Sequence, residues 1–178
     1  EIVPYQATGG ISDAIAAAAD AETIARDIQP FAVFGGPALT NAFGDTLAAN
    51  KVLCIDCAAN NTNDWYEERR PYVWGIQKSL DQNFQMVAEY AIKRLGGRNA
   101  EFAGDPKMHD KKRVFAFIHA VTAEGSGNAN ETFKDGLRAG GVDIVEELTY
   151  LNPLTLNVDG RDMITKLKEA GVTTVLLA

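Results

Sequence analysis

Phe31-Ala-Val-Phe-Gly-Gly-Pro-Ala-Leu-Thr40 and, ten residues on, Lys51-Val-Leu-Cys-Ile-Asp-Cys-Ala-Ala-Asn60 decide how the chain is read. Each opens on a short apolar run, at 31–34 and 52–55, that is too short for a helix and rich in strand formers. Small or polar residues follow each run at once. Between them, Ala42, Phe43, Leu47 and Ala48 fall on one helical face within 40–50. A strand, helix and strand of these lengths form a βαβ unit, so the two strands are expected to be parallel neighbours. Gly35-Gly36-Pro37 and Cys57-Ala58-Ala59-Asn60 then stand at the carboxyl ends of adjacent strands. Open parallel sheets bind ligands at that edge, where small side chains let a ligand reach backbone N–H groups. A helix beginning near Pro37 would turn its positive end the same way.

Outward from this unit the rhythm continues. Residues 1–5 read as a short strand, broken by Gly9-Gly10. Ser12-Asp13 caps an Ala-rich helix over 14–28, with Ile15, Ala18, Ala21, Ile24 and Ile28 at helical spacing. The polar stretch 60–70 reads as a loop and 71–76 as an extended segment. Residues 79–95 form an amphipathic helix capped by Ser79 or Asp81 and stopped by Gly96-Gly97. A polar surface loop over 98–112 precedes a second series: strand 113–120, turn 125–127, helix 128–139, strand 142–150, helix 159–170, strand 172–178. The expected class is α/β, with two Rossmann-like lobes of parallel sheet. Residues 1–76 belong to the first lobe and 77–178 to the second.

The chain has 178 residues, 46% of them apolar, and a net charge of −7. The acidic balance argues against nucleic acid and against anionic membrane surfaces as partners. No apolar run has the length of a membrane span. The chain starts without Met and both begins and stops in strand-like sequence, so a piece of a longer protein is expected, with any targeting signal outside it. Cys54 and Cys57 lack the second pair of a structural zinc site. Three residues of extended chain separate them by roughly 10 Å, too far for a disulfide. Buried thiols are the first reading, a bridge to a cysteine elsewhere the second, metal or redox chemistry the last.

The chemistry-bearing positions are few. Gly35-Gly36-Pro37 is neither a dinucleotide fingerprint nor a P-loop; it reads as a small-ligand loop, with a plain turn or a nucleotide site as alternatives. Gly125-Ser126-Gly127 is a weaker form of the same signal. His109 is expected in solvent, and His119, ending a strand, is a structural or ligand-touching histidine. Glu124 stands at the ligand edge of the second series, where a carboxylate suits a ligand ammonium group or other donors; an exposed loop glutamate is the equal alternative. Trp65, Tyr66, Tyr72 and Trp74 flank the lobe connection, where such aromatics fill a hinge core or, less often, line a cleft. Glu67-Glu-Arg-Arg70 reads as a solvated charged turn. G-x-S-x-G is absent.

These stretches together resemble the type I periplasmic-binding-protein fold, and within it the leucine/branched-chain amino-acid group of ABC-transporter solute-binding proteins. Ile28-Gln-Pro-Phe-Ala-Val-Phe-Gly-Gly-Pro37 and Asn50-Lys-Val-Leu-Cys-Ile55 resemble consecutive first-lobe strands of that family. Pro71-Tyr-Val-Trp74, Asp81-Gln82 and Ala88-Glu-Tyr-Ala91 resemble its crossover. Arg113–His119, Phe133-Lys-Asp-Gly-Leu137 and Gly141-Val142 resemble its second-lobe core. The resemblance implies an incomplete periplasmic-binding-protein-like I fold, whose central first strand would precede Glu1 and whose further second-lobe segments would follow Ala178. A chain lacking that strand leaves its neighbours' backbone unpaired, which points to a cleaved or truncated chain, or to pairing with another.

It implies ligand contacts at Ala38, Leu39, Thr40, Ala58, Ala59 and Asn60, with Glu124 where the family carries an aromatic and Leu39 where a hydroxyl residue is common. The solute expected is therefore amino-acid-like or another small polar or amide-like molecule. An extracytoplasmic protein is implied, lipid-anchored and exported by a signal peptide in its precursor, with an ABC permease as partner and no cofactor, metal or catalysis. The rivals are a ligand-sensing receptor domain of the same fold and a Rossmann-type enzyme.

Overall fold

The fold is that of a computed structural model of the chain, which describes residues 1–37, 39–58, 61–121, 128–150 and 156–177 and, for 156–159, the backbone alone. It is mixed α/β, with two three-stranded parallel sheets among the described residues, and it divides into two compact units, Glu1–Asn83 and Phe84–Ala178.

In the first unit, helix α1 (Ala14–Thr23) leads through a wider π turn into strand β1 (Ala32–Phe34). Helix α2 (Ala42–Ala49), strand β2 (Leu53–Ile55), helix α3 (Asn63–Glu68) and strand β3 (Val73–Trp74) follow. The strands stand in the order β1-β2-β3, with Val33 beside Cys54 and Cys54 beside Val73, all parallel. The expected βαβ unit is present. Its helix starts at Ala42, five residues beyond Pro37. Leu47, Val73 and Cys54 are fully enclosed, and Ala17, Ala21 and Ile24 of the first helical segment close over them with Phe43.

Several local readings are corrected. Residues 1–5 form no strand: Ile2 is 94% exposed, and the segment is tied instead to α1 through Tyr5, Thr8 and Asp20. Asp13 does cap α1, accepting from the Ala16 N–H at 3.0 Å, but the buried stripe is Ala17, Asp20, Ala21 and Ile24. Ile15, expected inside, is turned outward. The mostly small residues of α1 make several faces almost equally apolar, so the partner selects the face. The stretch 60–70 contains α3, capped by the Thr62 hydroxyl, which accepts from Trp65 N–H at 3.2 Å. Its outward polar face hid a turn whose Trp65 and Tyr66 rings meet edge to face at 5.1 Å. Arg69 is not simply solvated. Its guanidinium lies 4.2 Å above the Trp65 ring, pairs with Asp45 and Glu68, and donates to the Trp65 carbonyl.

The cysteines are the largest correction. Cys54 and Cys57 are joined in a disulfide, with Cα atoms 5.8 Å apart. Extended geometry ends after Ile55, because Asp56 adopts φ +58° and folds the chain back. That turn brings the residues inside the usual disulfide span. Cys57 Sγ also lies 3.7 Å from the carbonyls of Val33 and Ile55; bonded to Cys54, it has no proton to donate, so these are packing contacts.

The second unit opens within helix α4 (Leu80–Tyr90), whose start lies in the first. Ser79 and Gln82 form a reciprocal cap: the Ser79 hydroxyl accepts from Gln82 N–H and the Gln82 side chain from Ser79 N–H. Asp81 instead accepts from Asn63 N–H at 2.6 Å. Strand β4 (Phe115–Ala120), helix α5 (Ala129–Ala139), strand β5 (Ile144–Tyr150), helix α6 (Leu156–Glu169) and strand β6 (Thr174–Leu177) complete the chain. The sheet order is β5-β4-β6, all parallel. The central strand β4 is buried on both faces from Phe115 to His119, as parallel interior strands are. One face meets Met163 and Leu167 of α6. The other carries Phe117, packed with Phe84 of α4 and Phe133 of α5. His109 is also corrected: it is half-buried, its Nε2 2.8 Å from the Ala103 carbonyl, in a loop closed by the Asn99–Lys112 bridge.

Candidate functional site

At the carboxyl end of β1 the chain turns away through Gly35 (φ +78°) and Gly36 (φ +154°). Gly35 N–H still donates to Ile55 O at 3.0 Å, which extends the β1–β2 ladder by one bond. Gly36 has a second constraint. A Cβ there would stand 2.7 Å from two atoms of the Phe43 ring, itself in the core. Gly36→Ala is therefore expected to cost about 1–3 kcal/mol in strain and overpacking. Gly35→Ala, with no atom within 4 Å of the added carbon, should cost only the backbone term of about 1 kcal/mol. Urea midpoints of the two variants compare them directly; equal losses would remove Phe43 from the explanation.

Of the seven expected contacts, three lie among the described residues. Leu39 is 46% exposed, and its N–H is already used, donating to Ile11 O at 3.0 Å. Thr40 is buried, and its hydroxyl accepts from Ala42 N–H at 3.2 Å as α2 begins. Ala58 is buried, and its carbonyl accepts from the Tyr66 hydroxyl at 3.2 Å. All three follow the carboxyl ends of β1 and β2, on the same edge of one sheet. Ala38, Ala59, Asn60 and Glu124 lie outside the described residues, as does the 125–127 turn.

Asn61 at this edge was not found in the sequence, and Tyr66 was singled out there only as an aromatic flanking the lobe connection, without its partner. Tyr66 reaches from α3 to Ala58, and a Cβ at Gly75 would come within 2.9 Å of its hydroxyl. Burial, and then the charge of Asp56, raise the Tyr66 phenol above its ordinary pKa. It stays neutral and able to donate. Asn61 holds its side-chain nitrogen buried with no hydrogen-bond partner among the described residues, while its carbonyl accepts from Leu80 N–H. An amide left unpaired in this way is costly unless something completes it. The sequence signal for Asn61 and for the Tyr66–Ala58 contact was masked by the polar character of 60–70, which concealed α3.

A groove of about 470 Å³ is lined by Asp45, Arg69, Arg70 and Tyr72 among others. It sits where α2 and α3 end and β3 begins, so it belongs to the opposite end of the strands from the expected contacts. Its charges are paired, Arg69 with Asp45 and Arg70 with Glu67. Among the described residues there is no cluster of three or more His, Cys, Asp or Glu fit to hold a metal, and no helix is long and apolar enough to cross a membrane.

In the second unit the corresponding strand end carries His119. Its Nε2 is 3.0 Å from Glu147 Oε1, and Glu147 Oε2 is 2.6 Å from Lys134 Nζ. Lys134, and secondarily His119, hold the Glu147 carboxyl below the usual range against the opposing effect of burial. Hydrogen bonds to Glu131 and Glu147 raise Lys134 above its own.

No protein-family model and no curated protein sequence matches the chain. Solved structures do resemble it. A solute-binding protein of an ABC transporter from Rhodopseudomonas palustris BisB5, in complex with 3,4-dihydroxybenzoic acid, aligns over the whole chain at TM-score 0.69 and 20% identity. One from R. palustris in complex with 4-hydroxybenzoate aligns over 94% at TM-score 0.66 and 18% identity. An ABC transporter substrate-binding protein from Desulfitobacterium hafniense, in complex with Leu, aligns over 99% at TM-score 0.62 and 14% identity. The chain spans 43%, 40% and 46% of their lengths. The fold is therefore that of the type I periplasmic-binding proteins, represented over less than half of its length. These neighbours are solute-binding or substrate-binding proteins of ABC transporters.

Proposed function

We propose that the protein is the extracytoplasmic solute-binding component of an ABC importer. It captures an amino-acid-like or other small polar solute by closing its lobes on it, and does no covalent chemistry. The observation that most supports this reading is the likeness in fold, over 94–100% of the chain, to solute-binding proteins of ABC transporters. Consistent with it, small residues and strand-end turns gather at the carboxyl edge of β1 and β2, where such sheets take ligands. Ala38, Leu39, Thr40, Ala58, Ala59, Asn60 and Glu124 are the proposed contacts, with Tyr66 and Asn61 supporting the first set. Leu39 would contribute its side chain, since its N–H is engaged. The partner is an ABC permease, and a lipid anchor outside this chain would keep the protein at the membrane.

A ligand bound only by the folded state raises the unfolding midpoint, by about 2.7 kcal/mol of stability at a hundredfold excess over Kd. A thermal-shift panel on the full-length protein should include leucine, polar amino acids, small amides, 4-hydroxybenzoate and 3,4-dihydroxybenzoate. At least one member is expected to raise the midpoint by several degrees and to be recovered chemically unchanged. Conversion of any member to product, or a flat response to all of them, would overturn the reading.

A further inference from the structure

His119 is the hub of a hydrogen-bonded cluster that joins three elements of the second unit at the carboxyl end of β4. The ring is buried and stacks on Phe117 of the same strand at 4.7 Å. Its Nε2 faces Glu147 of β5 at 3.0 Å, and its Nδ1 faces two groups at once: the Ala120 carbonyl at 3.1 Å and the Asn130 side-chain nitrogen, in the first turn of α5, at 3.1 Å. Lys134 of α5 binds the far oxygen of Glu147 and also Glu131. From α4 the neighbouring group is Phe84, which packs on Phe117 and brings no charge.

An ionised carboxylate can only accept, so Glu147 requires a proton on Nε2 in every state of the ring. The neutral imidazole then has a bare Nδ1, which accepts from the Asn130 amide, while the Ala120 carbonyl faces it lone pair to lone pair. The imidazolium has N–H at Nδ1, which donates to Ala120 O. Asn130 must then turn its oxygen inward or let go. The two partners cannot both be satisfied in one protonation state with the amide as it stands.

We infer that His119 is a proton-controlled coupling between β4 and α5: neutral, it holds the first turn of α5 through Asn130, and protonated, it exchanges that hold for the end of its own strand. Glu147 keeps the ring in place throughout, and Lys134 keeps Glu147 charged.

Two measurements on the full-length, ¹⁵N-labelled protein test it, at about pH 8 and about pH 5.5, on either side of the range where histidine rings ordinarily change charge. Long-range ¹⁵N–¹H spectra should show the His119 ring protonated at Nε2 alone in the first condition and at both nitrogens in the second. The resonance is assigned by its loss in His119→Gln. Amide exchange, corrected for intrinsic rates, should show Thr132 and Phe133 of α5 losing about five- to tenfold in protection on acidification, the equivalent of one hydrogen bond. His119→Gln should remove that pH dependence, and Asn130→Ala, at a half-exposed position, should give the acid-like protection at both values. A ring that never gains the Nδ1 proton, protection unchanged while it does, or the same pH dependence in His119→Gln would each overturn the coupling.

Discussion

Replacing Phe117 by alanine is expected to lower the stability of the second unit by about 3–5 kcal/mol, the range for deleting a large aromatic from a packed core. Phe117 is fully enclosed at the centre of β4. Its ring lies 5.0 Å from that of Phe133 and 6.0 Å from that of Phe84, and those two stack on each other at 4.6 Å. His119 covers its remaining face. The cavity cannot close easily, because each neighbour is fixed by a different element: α4, α5 and β4 itself. Phe117→Leu keeps most of the volume and should lose much less, about 1–2 kcal/mol. Hydrogen exchange of the β4 amides with urea titration reads the effect. A loss under about 1 kcal/mol for the alanine variant would mean that the aromatic cluster is not the core of this unit.

Asp20→Ala is expected to cost about 2–3 kcal/mol at neutral pH, and that cost should shrink in acid. Asp20 is 2% exposed, yet it accepts from Thr8 N–H at 2.8 Å, the Thr8 hydroxyl at 2.9 Å and the Tyr5 hydroxyl at 2.9 Å. Burial works to raise its pKa; the bonds from Thr8 and Tyr5 outweigh that and leave it below the ordinary carboxylate value. The same bond raises the Tyr5 phenol. A carboxyl whose pKa is depressed by folding stabilises the folded state above its unfolded value, near 3.9, and loses that contribution as pH falls through the lower, folded value. The gap between the native protein and Asp20→Ala should thus be full at about pH 7 and narrow below about pH 4. Thr8 amide protection should fall with it in the variant. A gap that stays constant down to about pH 3 would remove the ionised carboxylate as its source.

Asp20 also shows what pattern reading loses. It occupies the buried stripe of α1 while Ile15 is outside, because a strong hydrogen-bond acceptor with three donors waiting is less costly to bury than its residue type suggests. The strands of the two sheets were legible as short apolar or alternating runs between helical patterns, although the similar run at 1–5 is no strand. The Ser79 cap and the amphipathic α4 were legible for the same reason: local chemistry and local geometry agree there. At the expected site, the carboxyl edge of β1 and β2 could be located in advance. The Tyr66–Ala58 bond could not, because it joins a helix hidden in polar sequence to a strand end eight positions earlier.

By itself the sequence determined the class: the alternation of strands and helices, the parallel pairing that follows from their lengths, and the turns that lie at the strands' carboxyl ends. These depend on periodicity and on glycine, which act over a few residues. Tertiary structure alone decided the Cys54–Cys57 bond, the face that α1 buries, and the meeting of His119, Glu147 and Lys134. Each depends on a single backbone turn or on partners more than a dozen positions apart, and neither periodicity nor composition records which side chains a fold brings within hydrogen-bond reach.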